Sequence, residues 1–178
     1  MQAALLFLVR ALSDLYVLAF VLRFVFQLIR MDYDNPLAQA VVQITNPLVV
    51  PARRMLPSVR RIDLPTLILI VALECVSTLL LLLIVRYVPT APQFLVLVLL
   101  RLVGLTLWFY IFTLLLYVAV GWLGGGTYHP TARVLSAIVT PILRPVRRVL
   151  PPLSGIDLSP MLVTLMLIAL WIALPTPF

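Results

Sequence analysis

Residues 3–29 carry only three charged side chains, Arg10, Asp14 and Arg23, and apolar runs of comparable length recur at 65–88 and 94–123. At ~1.5 Å per residue, a helix of that length covers the ~30 Å hydrocarbon core of a bilayer. A chain with 63% hydrophobic and 11% charged residues and a mean hydropathy of +1.18 has more such length than a soluble core can absorb. A fourth run at 160–174 is short and is expected to rely on its preceding turn or on local thinning of the bilayer. The first run has no basic region before it and carries charges inside, which argues for a retained span over a cleaved signal peptide. The sequence therefore predicts an all-α membrane protein with four transmembrane helices.

The segments between the first and second runs, and between the third and fourth, are of another kind. Residues 36–56 open on Pro36 and place apolar side chains at Leu37, Val41, Ile44, Leu48, Ala52 and Met55, with Gln39, Gln43, Asn46, Arg53 and Arg54 elsewhere. Residues 130–150 open on Pro130 and pair Val134 with Leu135, Ile138 with Val139 and Ile142 with Leu143, opposite Arg133, Thr140, Arg144, Arg147 and Arg148. Both read as amphipathic helices lying in the membrane interface, because internal prolines and paired arginines are costly at mid-bilayer.

These segments are copies. Positions 46–64 align without a gap on positions 140–158 at an offset of 94, and nine of the nineteen residues are identical, including Pro47, Pro51, Arg53, Arg54, Asp63 and their partners Pro141, Pro145, Arg147, Arg148, Asp157. The chain thus divides into two repeats, 1–88 and 89–178, each consisting of a span, an interfacial helix and a second span. A copy with two spans re-enters the membrane in the same sense, so the repeats are parallel. Five arginines at 30–65 and four at 124–159, against Arg86 alone in the opposite hairpin, place both Arg-Arg motifs in the cytoplasm and both termini outside.

All thirteen basic residues are arginine and the net charge is +7. Because they interrupt apolar segments, their expected partners are anionic lipid headgroups or a protein, not nucleic acid. Arg53, Arg54, Arg144, Arg147 and Arg148 form the candidate contact surface. Asp63 and Asp157 immediately precede apolar helices and are expected to cap them. Within the spans, Arg10 and Asp14 stand four apart and can pair, and Glu74 and Arg101 are expected to neutralise each other across the second and third spans. Arg23 lies near enough to a span end to snorkel.

Little here suggests catalysis. His129 is the only histidine, Cys75 the only cysteine, and the glycines at 124–126 lack the Lys and Ser or Thr of a phosphate loop. The expectation is a chain without metal, cofactor or enzymatic activity.

The pattern PxxxPxRRxLPxxxxIDLSP, met by Pro141, Pro145, Arg147, Arg148, Leu150, Pro151, Ile156, Asp157, Leu158, Ser159 and Pro160, resembles that of the YggT family, also found as the YlmG type in chloroplasts. The first copy departs from it at Arg60, Arg61, Pro65 and Thr66. The resemblance covers nearly the whole chain as a tandem form. It implies a bacterial inner-membrane protein with a role in cell division and shape, nucleoid placement, osmotic tolerance linked to ion uptake, or assembly of a membrane complex. A non-enzymatic scaffold or assembly factor is the function expected. The alternative is an ion or solute conduit formed by a homo-oligomer, since four spans leave little room for a pore in one copy.

Overall fold

The computed structural model describes residues 1–31, 35–55, 63–122, 130–150 and 157–175, and these form six α-helices with no strand among them. They are α1 (Gln2–Leu28), α2 (Pro36–Met55), α3 (Leu64–Val85), α4 (Ala91–Trp122), α5 (Pro130–Val149) and α6 (Ser159–Ala173). Pro36, Pro65, Pro130 and Pro160 stand in first turns, where a missing amide hydrogen costs nothing. α1, α3 and α4 are long and apolar enough to cross a membrane, as expected of a membrane protein.

α6 is the exception to the expected four spans. Its 15 residues are apolar but extend only about 22 Å, short of the ~30 Å hydrocarbon thickness. Three helices, not four, meet the length for a crossing among the described residues.

Two compact units divide the chain inside α4, Met1–Leu105 and Thr106–Pro175. In the first unit α1 packs on α2 and α3, and α2 on α3. Its interior holds Val17 and Phe20 from α1, Ala38, Thr45 and Val49 from α2, and Ile70 and Leu81 from α3. In the second unit α5 packs on α6, and Leu114, Val139, Leu143 and Val163 form a core joined by Tyr117, Ile142, Val146 and Leu167. Phe20, Thr45 and Val49, and their counterparts 94 residues on, Leu114, Val139 and Leu143, are all fully buried. The repeat thus extends from the motif to the packing positions of the flanking helices.

The buried face of α2 differs from the one the apolar spacing picks out. Ala38, Thr45 and Val49 face inward, while Leu37, Ile44 and Met55 are exposed. In a lipid setting large apolar side chains gain nothing by turning inward, whereas small residues let helices approach closely. α5 behaves as its pattern predicts, with Val134, Leu135, Ile138, Val139 and Leu143 buried.

α1 and α3 both end in left-handed turns without glycine. Arg30 (φ 52°) and Arg86 (φ 57°) take the position, and the Met31 and Tyr87 amides reach back to the Phe26 and Leu82 carbonyls at 2.9 and 3.1 Å. A side chain with a β-carbon pays for that conformation. Arg86→Gly is expected to stabilise the protein by about 0.5–1 kcal/mol and Arg86→Val to destabilise it by about 1–2 kcal/mol, read as shifts in the denaturation midpoint in detergent. Equal midpoints for the two variants would show that the turn carries no such strain.

Candidate functional site

The two Arg-Asp motifs fold back on themselves. On α2, Arg53 Nη2 donates to Asp63 Oδ2 at 2.7 Å, and the same carboxylate oxygen accepts from Gln27 Nε2 at 2.9 Å and from the Thr66 hydroxyl at 2.5 Å. On α5, ten residues likewise separate Arg147 from Asp157, and Nε and Nη2 approach Asp157 Oδ2 at 2.9 and 2.7 Å. In both copies the first arginine of the Arg-Arg pair is thereby tied to the start of the next helix.

The aspartates do not act alike as caps. Asp63 occupies the N-cap position of α3, yet no side-chain bond caps the helix there, and its Oδ2 takes the three side-chain donors instead. Asp157 Oδ1 does accept the Ser159 amide, at 3.0 Å, at the start of α6. Burial by itself would raise the Asp63 pKa, but the hydrogen bonds from Arg53, Thr66 and Gln27 and the Arg53 charge outweigh it and hold the group at about 2. The Asp157 carboxyl, also pushed up by burial, is drawn below its ordinary value by Ser159 and Arg147. The Arg147 guanidinium is raised, its own desolvation being exceeded by bonding to Asp157 and Tyr117.

The remaining arginines of the candidate surface stand apart from these bridges. Arg54, Arg144 and Arg148 are exposed, as is Arg133, and none forms an ion pair among the described residues. Spacings of eleven and four residues put Arg133, Arg144 and Arg148 along one side of α5, away from Val139 and Leu143.

Four of the ionisable groups inside the long helices, Arg10, Asp14, Glu74 and Arg101, form a single network. Arg101 Nε donates to Glu74 Oε1 at 2.6 Å, while its Nη2 donates to Asp14 Oδ1 at 2.8 Å and to Ser77 Oγ at 3.0 Å. Arg10 Nε lies 3.6 Å from Asp14 Oδ2, one turn away, and Ser77 Oγ donates to Ser13 Oγ at 2.8 Å. The two pairs expected from the sequence are thus one cluster, with Arg101 bridging α1 and α3. Glu74 Oε2 and Thr78 Oγ1 are buried beside it, and among the described residues neither makes a hydrogen bond of ordinary geometry. Sequence spacing showed the Arg10–Asp14 pair; it could not show Ser13, Ser77 and the bridge, which depend on how the helices are rotated.

Arg23 does not snorkel. It is 5% exposed and its Nη1 donates to Thr45 Oγ1 at 2.6 Å and Asn46 Oδ1 at 2.9 Å, fastening α1 to α2. Cys75 is half-buried on α3. No group of histidine, cysteine, aspartate and glutamate able to hold a metal occurs among the described residues. His129, the glycines at 124–126, and Arg60 and Arg61 lie outside the described residues.

The duplicated Arg-Asp bridge is matched by a duplicated family profile. That of CCB3/YggT matches residues 2–84 and again 96–177. The chain belongs to the CCB3/YggT family. An uncharacterized protein of Pseudomonas aeruginosa is 36% identical over 162 residues, 90% of this chain and 82% of that relative. An uncharacterized YggT protein of Escherichia coli K12 is 35% identical, covering 90% of this chain and 84% of its own, and an uncharacterized protein of Haemophilus influenzae is 29% identical at 90% and 85%. No solved structure matches the chain. The two YggT matches begin 94 residues apart, the offset of the Arg-Asp motifs, so the bridge falls at the same place in each.

Proposed function

We propose that this YggT-family chain is a non-enzymatic scaffold or assembly factor of the bacterial inner membrane, engaging anionic headgroups or a protein partner through the arginine-bearing helices α2 and α5. One observation carries the reading: α5 buries Val139 and Leu143 completely while keeping Arg133, Arg144 and Arg148 exposed on its other side. An amphipathic helix built so holds its apolar face in the fold and offers always-charged donors to phosphate or carboxylate groups. Arg53 and Arg147 serve the fold through Asp63 and Asp157, leaving Arg54, Arg144 and Arg148 as the outward contacts. In this reading α6 makes a fourth crossing where the bilayer is locally thinned, the two repeats enter the membrane in parallel, and both Arg-Arg motifs face the cytoplasm with the termini outside. The fitting roles are in cell division, membrane-complex biogenesis or osmotic tolerance.

The test is replacement of Arg54, Arg144 and Arg148 by glutamine in the full chain, followed by crosslinking and affinity capture from native membranes. A stoichiometric partner, or retention of anionic lipid, is expected in the wild type and is expected to fall about tenfold in the variant. Unchanged insertion together with unchanged capture and lipid retention would sink the reading.

A second reading rests on the Arg10, Asp14, Glu74 and Arg101 cluster: a homo-oligomeric conduit with a polar lining. Reconstituted vesicles would then show ion flux that Glu74→Gln abolishes. Vesicles without flux exclude it.

A further inference from the structure

A pocket of about 480 Å³ opens in the first unit, lined by Arg23, Gln39, Val42, Gln43, Asn46 and Arg53. Gln39, Gln43 and Asn46 follow one another at intervals of four and three on α2 and therefore share a face. Arg23 meets that face from α1, positioned by Thr45 and Asn46, and Arg53 stands in the same lining, positioned by Asp63. Asn46 spends its Oδ1 on Arg23, so what it offers the pocket is the Nδ2 donor. Gln39 and Gln43 are exposed and their side chains bond to nothing among the described residues.

The lining therefore combines the Arg23 guanidinium, held by Thr45 and Asn46, and the Arg53 guanidinium, paired with Asp63, with carboxamide donors around a volume typical of small-ligand sites. A guanidinium presents its N–H groups in a planar fork that fits two oxygens of a phosphoryl group at once, more strongly than neutral donors do. The geometry points to a binding site for a phosphate-bearing anion in this pocket, with Arg23 and Arg53 clasping the phosphoryl oxygens and Gln39, Gln43 and Asn46 donating from their amides.

The second copy does not repeat it. Tyr117, Arg133, Ala137 and Thr140 stand where the first has Arg23, Gln39, Gln43 and Asn46, so the α1 guanidinium and all three carboxamides are gone, and the Tyr117 hydroxyl lies 3.5 Å from Arg147. The pocket is built from residues of the first unit alone and uses none of Arg54, Arg144 and Arg148, so neither proposal stands or falls with the other.

The experiment uses the full chain in nanodiscs of phosphatidylcholine alone, supplied either with phosphatidylglycerol or with inorganic phosphate, and reads binding by native mass spectrometry and calorimetry. Gln43→Glu places a carboxylate in the lining from an exposed position, with little risk to folding; Ala137→Glu makes the same change at the matching place in the second copy. Saturable binding that Gln43→Glu weakens at least about tenfold and Ala137→Glu leaves within about twofold is the expected result. If phosphatidylglycerol alone binds in this way, the ligand is a lipid headgroup; if inorganic phosphate does so as well, it is a soluble phosphate. Absence of saturable binding by either probe, or equal binding by wild type and Gln43→Glu, overturns the inference.

Discussion

Replacing Arg101 by methionine is expected to destabilise the protein by about 3–5 kcal/mol, the largest effect of any substitution of an ionisable group outside the motifs. The loss comes less from the ion pairs themselves than from what is left behind. Asp14 and Glu74 both direct a carboxylate oxygen at Arg101, at 2.8 and 2.6 Å, and Glu74 is fully buried. Without Arg101, Asp14 keeps only the longer contact to Arg10, at 3.6 Å, and Glu74 keeps no ion pair among the described residues. Removing both partners is cheaper than removing one, so Arg101→Met with Glu74→Leu should cost clearly less than the two single changes added together. Unfolding in mixed detergent micelles would measure the cycle. Simple additivity, or a cost below about 1 kcal/mol for Arg101→Met, would show that the cluster is loosely solvated and does not fix the helices.

The cluster is not repeated 94 residues further on. Ninety-four residues beyond Asp14 and Ser77, the two groups that share Arg101 Nη2, stand Trp108 and Trp171. Those two rings meet edge to face, with centroids 5.3 Å apart. The same pair of positions on the same pair of helices is thus joined by a charged bridge in one unit and by an aromatic contact in the other. Together with the carboxamide pocket, this makes the first copy the polar member of the duplicated pair and the second the apolar one, with the basic face of α5 on the latter.

Much of this was legible in the chain and some was not, for reasons that particular residues make clear. Helix positions followed from apolar runs, prolines and the motif repeat, so α2 and α5 lie within a residue of the spans 36–56 and 130–150. The count of four spans did not hold, because the run at 160–174, already short in the sequence, yields an α6 of 15 residues that stops just before Pro175. The inward face of α2 could not be read from its apolar spacing, because apolarity points to lipid as readily as to protein in a membrane; Thr45 is fully buried and Ile44 is exposed. Spacing on a single helix disclosed Arg10 with Asp14. The roles of Arg23, Ser77 and Gln27 depend on which side chains meet across helices, and only the positions of small and polar residues on facing surfaces could have hinted at them. The ten-residue interval between Arg53 and Asp63, kept between Arg147 and Asp157, was visible as a repeat, but reading each aspartate as a cap hid its arginine partner.

That partnership sets the second expected result, an unequal response of the two motifs to the same change. Asp63→Asn should cost about 2 kcal/mol, whereas Asp157→Asn should cost less than about 1 kcal/mol. Asp63 is 6% exposed and gathers Arg53, Gln27 and Thr66, while Asp157 and Arg147 are each about a third exposed, so water screens the second bridge and replaces much of what it loses. The difference carries a pH signature. The folded pKa of Asp63, about 2, lies below its ordinary 3.8, so its carboxylate contributes stability that is fully present above about pH 4 and is lost as the pH falls towards 2. The linked contribution is about 1–2 kcal/mol once the half-exposed Arg53 is allowed for. Wild type should therefore lose stability between pH 4 and 2 more steeply than Asp63→Asn, with the two curves converging at the acid end, while Asp157→Asn should run nearly parallel to wild type. Unfolding midpoints followed from pH 6 to 2 would decide it: parallel curves for wild type and Asp63→Asn would mean that Arg53 and Asp63 are coupled no more strongly than a surface pair, and that the buried bridge of the first motif does not hold α2 to the start of α3.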